Sequence, residues 1–251
     1  MILTIASREL RSLFLSPLAW SILAVTLFIL AYLFLSQIEA YVTLQPRLAA
    51  LEGAPGVADI VVAPLLADAA VVLLLVTPLV TMRVLSEERR NGTISLLFSA
   101  PLSMTEIVVG KYLGVVAFFL ILLGLLALMP LSLLAGTELD LGKLAAGLLG
   151  LTLVVSAFAA IGVYMSSLTE QPTVAAVTTF GLLLLLWIID WAGNRQMEEE
   201  SNALAELSML RHYEPLLKGL FNSADVAYYL LVILLFIGFS IRRLDATRLQ
   251  P

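Results

Sequence analysis

The sequence predicts an all-α integral membrane protein of six transmembrane helices, with an N-terminal interfacial amphipathic helix, a short helix between the second and third spans, and an outer helical hairpin before the last span. Three observations predict this. Hydrophobic residues make up 61% of the 251 and charged residues 13%, with a mean hydropathy of +1.01, a balance far from that of a water-soluble domain. Six stretches, about 18–38, 60–82, 112–135, 144–166, 173–192 and 226–241, approach the roughly 20 apolar residues that cross about 30 Å of hydrocarbon. The runs are continuously apolar and lack the alternation of a barrel strand, so the backbone of each is satisfied within a helix.

Residues 2–16 place Leu3, Ala6, Leu10, Leu13 and Phe14 on one helical stripe and Arg8, Glu9, Arg11 and Ser12 largely off it. That pattern predicts a helix lying in the membrane interface before Pro17, with a plain basic flank as the simpler alternative. The first apolar run is too long for a signal-peptide core and lacks a small-residue cleavage site, which argues for a retained span. Residues 39–59, with Pro46, Gly53, Pro55 and Gly56, read as an outer loop holding a short helix at most.

Between spans 2 and 3 a cluster of both charge signs leads into Ile94, Leu97 and Phe98 at i, i+3, i+4 spacing. Pro101 then stops the pattern, and Ser103 with Glu106 resembles a capping box opening span 3. A short amphipathic helix of this kind suits docking of another protein, while an ordinary charged loop explains the same charges. Between spans 4 and 5 a tight turn ends at Pro172, a suitable first helical residue, with Thr169 as its cap. In 193–225, leucines alternate with charges in two helix-like patches split by Pro215, which predicts short helices on the outer surface. Pro78 and Pro130 fall within spans 2 and 3 and are expected to kink them.

Charge sets the orientation. With the N-terminus inside, nine basic residues (Arg8, Arg11, Arg83, Arg89, Arg90, Lys111, Arg242, Arg243 and Arg248) face the cytoplasm and five (Arg47, Lys143, Arg195, Arg211 and Lys218) face out. Long loops count for less, which sharpens the bias toward both termini inside. The chain has no cysteine, so disulfides and thiolate chemistry are excluded. His212 is the only histidine and builds no metal site alone. There is no H-E-x-x-H, G-x-S-x-G or Walker-type phosphate loop, which leaves the chain without a visible catalytic or ATP-binding motif. No internal repeat is apparent. Asp68 lies inside span 2, where a carboxylate is costly, and is either part of a substrate path or hydrogen-bonded near the interface. Asp190, between Trp187 and Trp191, fits an outer interfacial belt.

Ser86-Glu-Glu-Arg-Arg-Asn-Gly-Thr-Ile-Ser-Leu-Leu-Phe-Ser-Ala-Pro-Leu-Ser103, followed by Glu106-Ile and Gly110-Lys-Tyr112, resembles the E-[RK]-x-x-G-T-[IL]-x-x-L-x-[ST]-x-P-[LV]-[ST]…G-K segment of ABC-2-type transporter permeases. Arg8-Glu9-Leu10-Arg11 is similar to the N-terminus of the gliding-motility and copper-enzyme-maturation group of that family. The resemblance covers nearly the whole chain and implies a multi-pass permease subunit of the bacterial cytoplasmic membrane that is not itself an enzyme. It further implies a cytoplasmic ATPase dimer that binds ATP and Mg, a second permease copy or paralogue, and an optional extracytoplasmic accessory subunit. No cofactor is expected in this chain. The residues between spans 2 and 3 become a coupling helix, with Glu87, Glu88, Arg89, Arg90, Asn91, Gly92, Thr93, Ile94, Leu97 and Phe98 facing the ATPase and Glu170 and Gln171 forming a smaller second contact. Gly92 is expected at a left-handed turn or a close backbone approach, or as a plain loop glycine. The alternative within the same architecture is a mechanotransmission or scaffold subunit that passes ATPase motion to an extracytoplasmic partner.

Overall fold

The computed structural model describes residues 1–48, 55–93, 103–137, 139–193 and 205–248. Its regular elements are all helical, and six helices are long and apolar enough to cross a membrane. The chain opens with α1 (Ile2–Leu15), and Pro17 starts α2 (Pro17–Leu48). The elbow between them is pinned by Trp20, whose indole N–H donates to Phe14 O at 2.9 Å and whose ring meets the Phe14 ring edge-on at 5.5 Å.

Helix α2 continues ten residues beyond the predicted apolar run, into the segment read as a loop, ending at Leu48 instead of about 38. The extension is polar rather than apolar, so hydropathy does not detect it, and Pro46 falls in the last turn. A π-helical turn (Ala58–Val62) then feeds α3 (Ala63–Thr81), which runs through Pro78. After the turn at 82–85 comes α4 (Ser86–Arg90). Helix α5 (Met104–Ser132) begins well before its apolar run because the predicted capping box forms: Ser103 Oγ accepts from Glu106 N at 3.2 Å, and Ser103 N donates to Glu106 Oε2 at 3.1 Å.

Asp140 caps α6 (Leu141–Leu168) by accepting from the Gly142 and Lys143 amides. Pro172 is the first residue of α7 (Pro172–Gly193), as expected. Thr169 instead accepts from Gln171 N at 3.1 Å, so it closes the turn before the helix and does not cap it. Helix α8 (Met209–Leu217) runs through Pro215, in contrast to the split expected there; Gly219, at φ 78°, follows its end. Proline is tolerated because it sits in the final turn. Helix α9 (Ser223–Arg248) completes the bundle.

Helix α6 is the axis around which α3, α5, α7, α8 and α9 pack. Its Ala157, Ala159 and Ala160 are fully buried, and a Cβ on Gly162 would overlap Thr81 of α3. Between lipid-embedded helices, such small residues let backbones approach where no hydrophobic force separates lipid from protein. Outward-facing Phe28, Tyr32, Val177, Leu231 and Leu234 are exposed, as suits a chain solvated by hydrocarbon.

The apolar stripe of α1 is divided between the bundle and the outside, and a second set of residues meets α5. Leu10, Leu13 and Phe14 pack on the core, but Leu3 is exposed, and Ile5 and Glu9 turn toward α5. Contact is close because α5 presents glycine there: a Cβ on Gly110 would lie 2.7 Å from Ile5 Cβ, and one on Gly114 2.7 Å from Glu9 Cβ and 2.9 Å from Ala6 O. Gly114→Leu is therefore expected to push α1 off α5 and lower stability by about 1–3 kcal/mol. Gly181→Ala, where a Cβ meets open space, is expected to leave the melting temperature in detergent unchanged or raised. Equal melting temperatures for the two variants would contradict the close crossing.

Candidate functional site

A cluster of charged residues gathers at one end of the bundle, around α4. This short helix has four internal supports. Ser166, near the end of α6, accepts from the amides of Leu85 and Ser86 at 3.0 and 3.1 Å and donates to Met82 O at 3.1 Å, while Ser86 Oγ donates to the same carbonyl. The first amides of α4, which have no intrahelical acceptor, are thus satisfied from another helix.

The second support is Lys111, buried near the start of α5. Its ammonium has three hydrogens and three acceptors: Glu9 Oε2 of α1 at 3.0 Å, Glu88 Oε1 of α4 at 2.8 Å, and Val84 O of the preceding turn at 2.9 Å. A buried ammonium without partners costs several kcal/mol, so the three contacts have to persist together. They fasten α1, the α3–α4 turn and α4 to one atom.

Arg89 is the third support. Its guanidinium donates to Thr247 Oγ1 at 3.0 Å near the end of α9, and it feels the opposite charge of Glu170 and the like charge of Arg243. The fourth is the end of α4, where Gly92 takes φ 68° with no crowding of a Cβ, so the left-handed turn is the reason for glycine there. Thr93 Oγ1 donates back to Glu88 O at 3.3 Å.

The residues expected in the coupling segment therefore divide. Glu88 and Arg89 turn inward and hold the element, whereas Glu87, Arg90, Asn91, Gly92 and Thr93 are exposed. Ile94, Leu97 and Phe98 lie outside the described residues. Arg90, Asn91, Glu87 and Arg83 share a cleft of about 610 Å³ with Gln171, Pro172 and Thr173, so the two sequence-distant contact segments border one space. Glu170, next to Gln171 in the chain, is exposed and does not line the cleft.

Asp68 stands apart from this cluster. It is half-buried and accepts a 2.9 Å hydrogen bond from Gln37 Nε2 of α2. The Asp190 side chain lies outside the described residues. At the opposite end, α8 is clamped by aromatic hydroxyls: Tyr213 donates to Leu66 O at 2.9 Å, and Tyr229 to Met209 O and Tyr228 to Leu207 O at 2.6 Å. Burial lifts the Tyr213 phenol well above its ordinary value of 10, keeping it a neutral donor. His212 meets Asp225 Oδ1 at 2.7 Å and stacks on Tyr228, and Lys143 pairs with Asp59 at 2.7 Å.

Lys111 and Glu9 have no assigned role in the sequence pattern, because a lysine just before an apolar run reads as a topological flank. The hints are their places in the Gly110-Lys-Tyr112 and Arg8-Glu9-Leu10-Arg11 strings, and Gly110 and Gly114 near Lys111 at helical spacing. Lys111→Met strands two carboxylates and is expected to cost about 3–5 kcal/mol. Adding Glu9→Gln and Glu88→Gln is expected to recover part of that loss. Thermal melting of the three proteins decides the matter, and a triple variant no more stable than the single one would contradict the node. Ser166→Ala leaves the Leu85 and Ser86 amides without their acceptor and is expected to lower stability by about 1–3 kcal/mol, again read by melting temperature.

No curated protein matches the sequence. The family described as ABC-2 family transporter protein matches residues 3–248, which takes in α1, all six long helices and the α4 cluster. The chain belongs to the ABC-2 family of transporter proteins.

Proposed function

We propose that this permease subunit converts the nucleotide-driven motion of a separate ATP-binding subunit into rearrangement of its helix bundle, and that the cleft between α4 and the α6–α7 turn receives that subunit. The observation that carries the proposal is the shared cleft: Arg90 and Asn91 from one connection and Gln171 from another border the same space. A protein docked there touches both connections at once, and through Glu88, Arg89 and Ser166 it pulls on α1, α5, α6 and α9. In this view the exposed α4 residues recognise the partner and the inward ones transmit its motion.

The charge bias supports an orientation with the α4 end and both termini inside, and the family resemblance supports a bacterial cytoplasmic membrane. ATP and Mg sit on the partner, and a second permease copy or paralogue completes the membrane part. The similarity of Arg8-Glu9-Leu10-Arg11 suggests the gliding-motility and copper-enzyme-maturation group within the family. Substrate crosses at or along the interface between permeases, and Asp68 with Gln37 offers a polar point within the membrane near such a path.

The test uses the chain co-expressed with its ATPase. Arg90→Glu combined with Gln171→Ala is expected to reduce ATPase co-purification roughly tenfold, the effect of about 1.4 kcal/mol of lost contact, while leaving the melting temperature of the chain unchanged. Glu88→Ala with Arg89→Ala is expected to lower both. Unaltered ATPase binding and unaltered coupling of hydrolysis to substrate movement in vesicles, for both variants, would refute the assignment.

A further inference from the structure

A groove beside the Lys111 node has the features of a ligand site. Two adjoining cavities of about 260 and 220 Å³ lie between α1, the start of α2, the end of α3 and α4, and share Glu9, Ser12, Arg83 and Glu87 as walls. One side is apolar, formed by Leu13 of α1, Leu18 of α2 and Leu79 of α3; Leu79 is 45% exposed, on the outward, lipid-facing side of the bundle. The other side is polar, with Arg83 and Glu87 exposed at the mouth and Arg8 at its rim.

The charges in the groove are unequal in availability. Lys111 is saturated, and Glu9 and Glu88 are engaged by it. Arg83 and Glu87, although only four positions apart, make no ion pair or hydrogen bond through their side chains with any described residue. At its mouth the groove therefore offers one available cation, Arg83, and one available anion, Glu87, above an apolar wall, with a second unpaired cation, Arg8, beside them.

We propose that this groove holds a phospholipid from the adjacent leaflet, with an acyl chain along Leu13, Leu18 and Leu79, its phosphodiester on Arg83, and a primary ammonium headgroup on Glu87. Each charge of a zwitterionic headgroup then meets its opposite. An anionic headgroup leaves Glu87 uncompensated beside a phosphate. A quaternary ammonium headgroup carries the right charge but no N–H to donate to the carboxylate, so it forms no charge-assisted hydrogen bond there. A lipid so placed fills the angle between α1 and the bundle and steadies the helix that carries Glu9.

The experiment needs no ATPase, so its outcome is independent of the proposed coupling. The full chain, purified in detergent, is mixed with dioleoyl phosphatidylethanolamine, phosphatidylcholine or phosphatidylglycerol, and lipid retention is measured by native mass spectrometry together with the melting temperature. Phosphatidylethanolamine is expected to be retained roughly tenfold more tightly than the other two, as the loss of one charge-assisted hydrogen bond implies, and to raise the melting temperature saturably. Arg83→Gln is expected to weaken its retention by a similar factor, and Glu87→Gln to abolish the preference over phosphatidylcholine, with the melting temperatures of both lipid-free variants unchanged. Equal retention of the three lipids, preference for phosphatidylglycerol, or wild-type selectivity in both variants would overturn the assignment.

Discussion

The α4 end of the protein depends on the need to satisfy one buried ammonium. Lys111 is buried with three N–H bonds to place, and its acceptors come from three separate parts of the chain. The geometry leaves little freedom: moving α1 removes Glu9, moving α4 removes Glu88, and unwinding the turn before α4 removes the Val84 carbonyl. A five-residue helix, too short to be stable alone, is thereby fixed with respect to helices that enter the membrane.

The bundle is specified differently along its length. In its middle, lipid offers helices an apolar environment as good as one another, so arrangement rests on close packing of small residues, as at the fully buried Ala157, Ala159 and Ala160. At its ends, polar clamps set register. Ser166 and Lys111 do so around α4, and Tyr213, Tyr229 and the Asp59–Lys143 pair do so around α8. Motion imposed on α4 thus meets stiff polar joints first and a sliding apolar interior second.

What could be read from the sequence follows from this division. The six spans were legible because bilayer thickness imposes a length, and the starts of α5 and α7 because Ser103–Glu106 and Pro172 act locally. The polar extension of α2 was not, since hydropathy measures solvent and not helicity. The inward turn of Glu88 and Arg89 was invisible too: their partners Lys111 and Thr247 are distant in sequence, and an acidic and a basic residue in a charged loop look alike whether they face a neighbour or water. The approach of Ile5 and Glu9 to α5 is not legible in the apolar stripe of α1, because that crossing is governed by the glycines of α5. Pro215 was taken as a break because composition does not show that it falls in a last turn.

The contact of Arg89 with Thr247 spans 158 positions. During synthesis, α4 emerges when only two of the six long helices exist, yet its guanidinium finds this partner only after the remaining four have been threaded into the membrane. Until the last long helix is in place, α4 lacks this joint and rests on Lys111 and Ser166, supplied by α5 and α6, so its attachment tightens in steps as the chain is inserted.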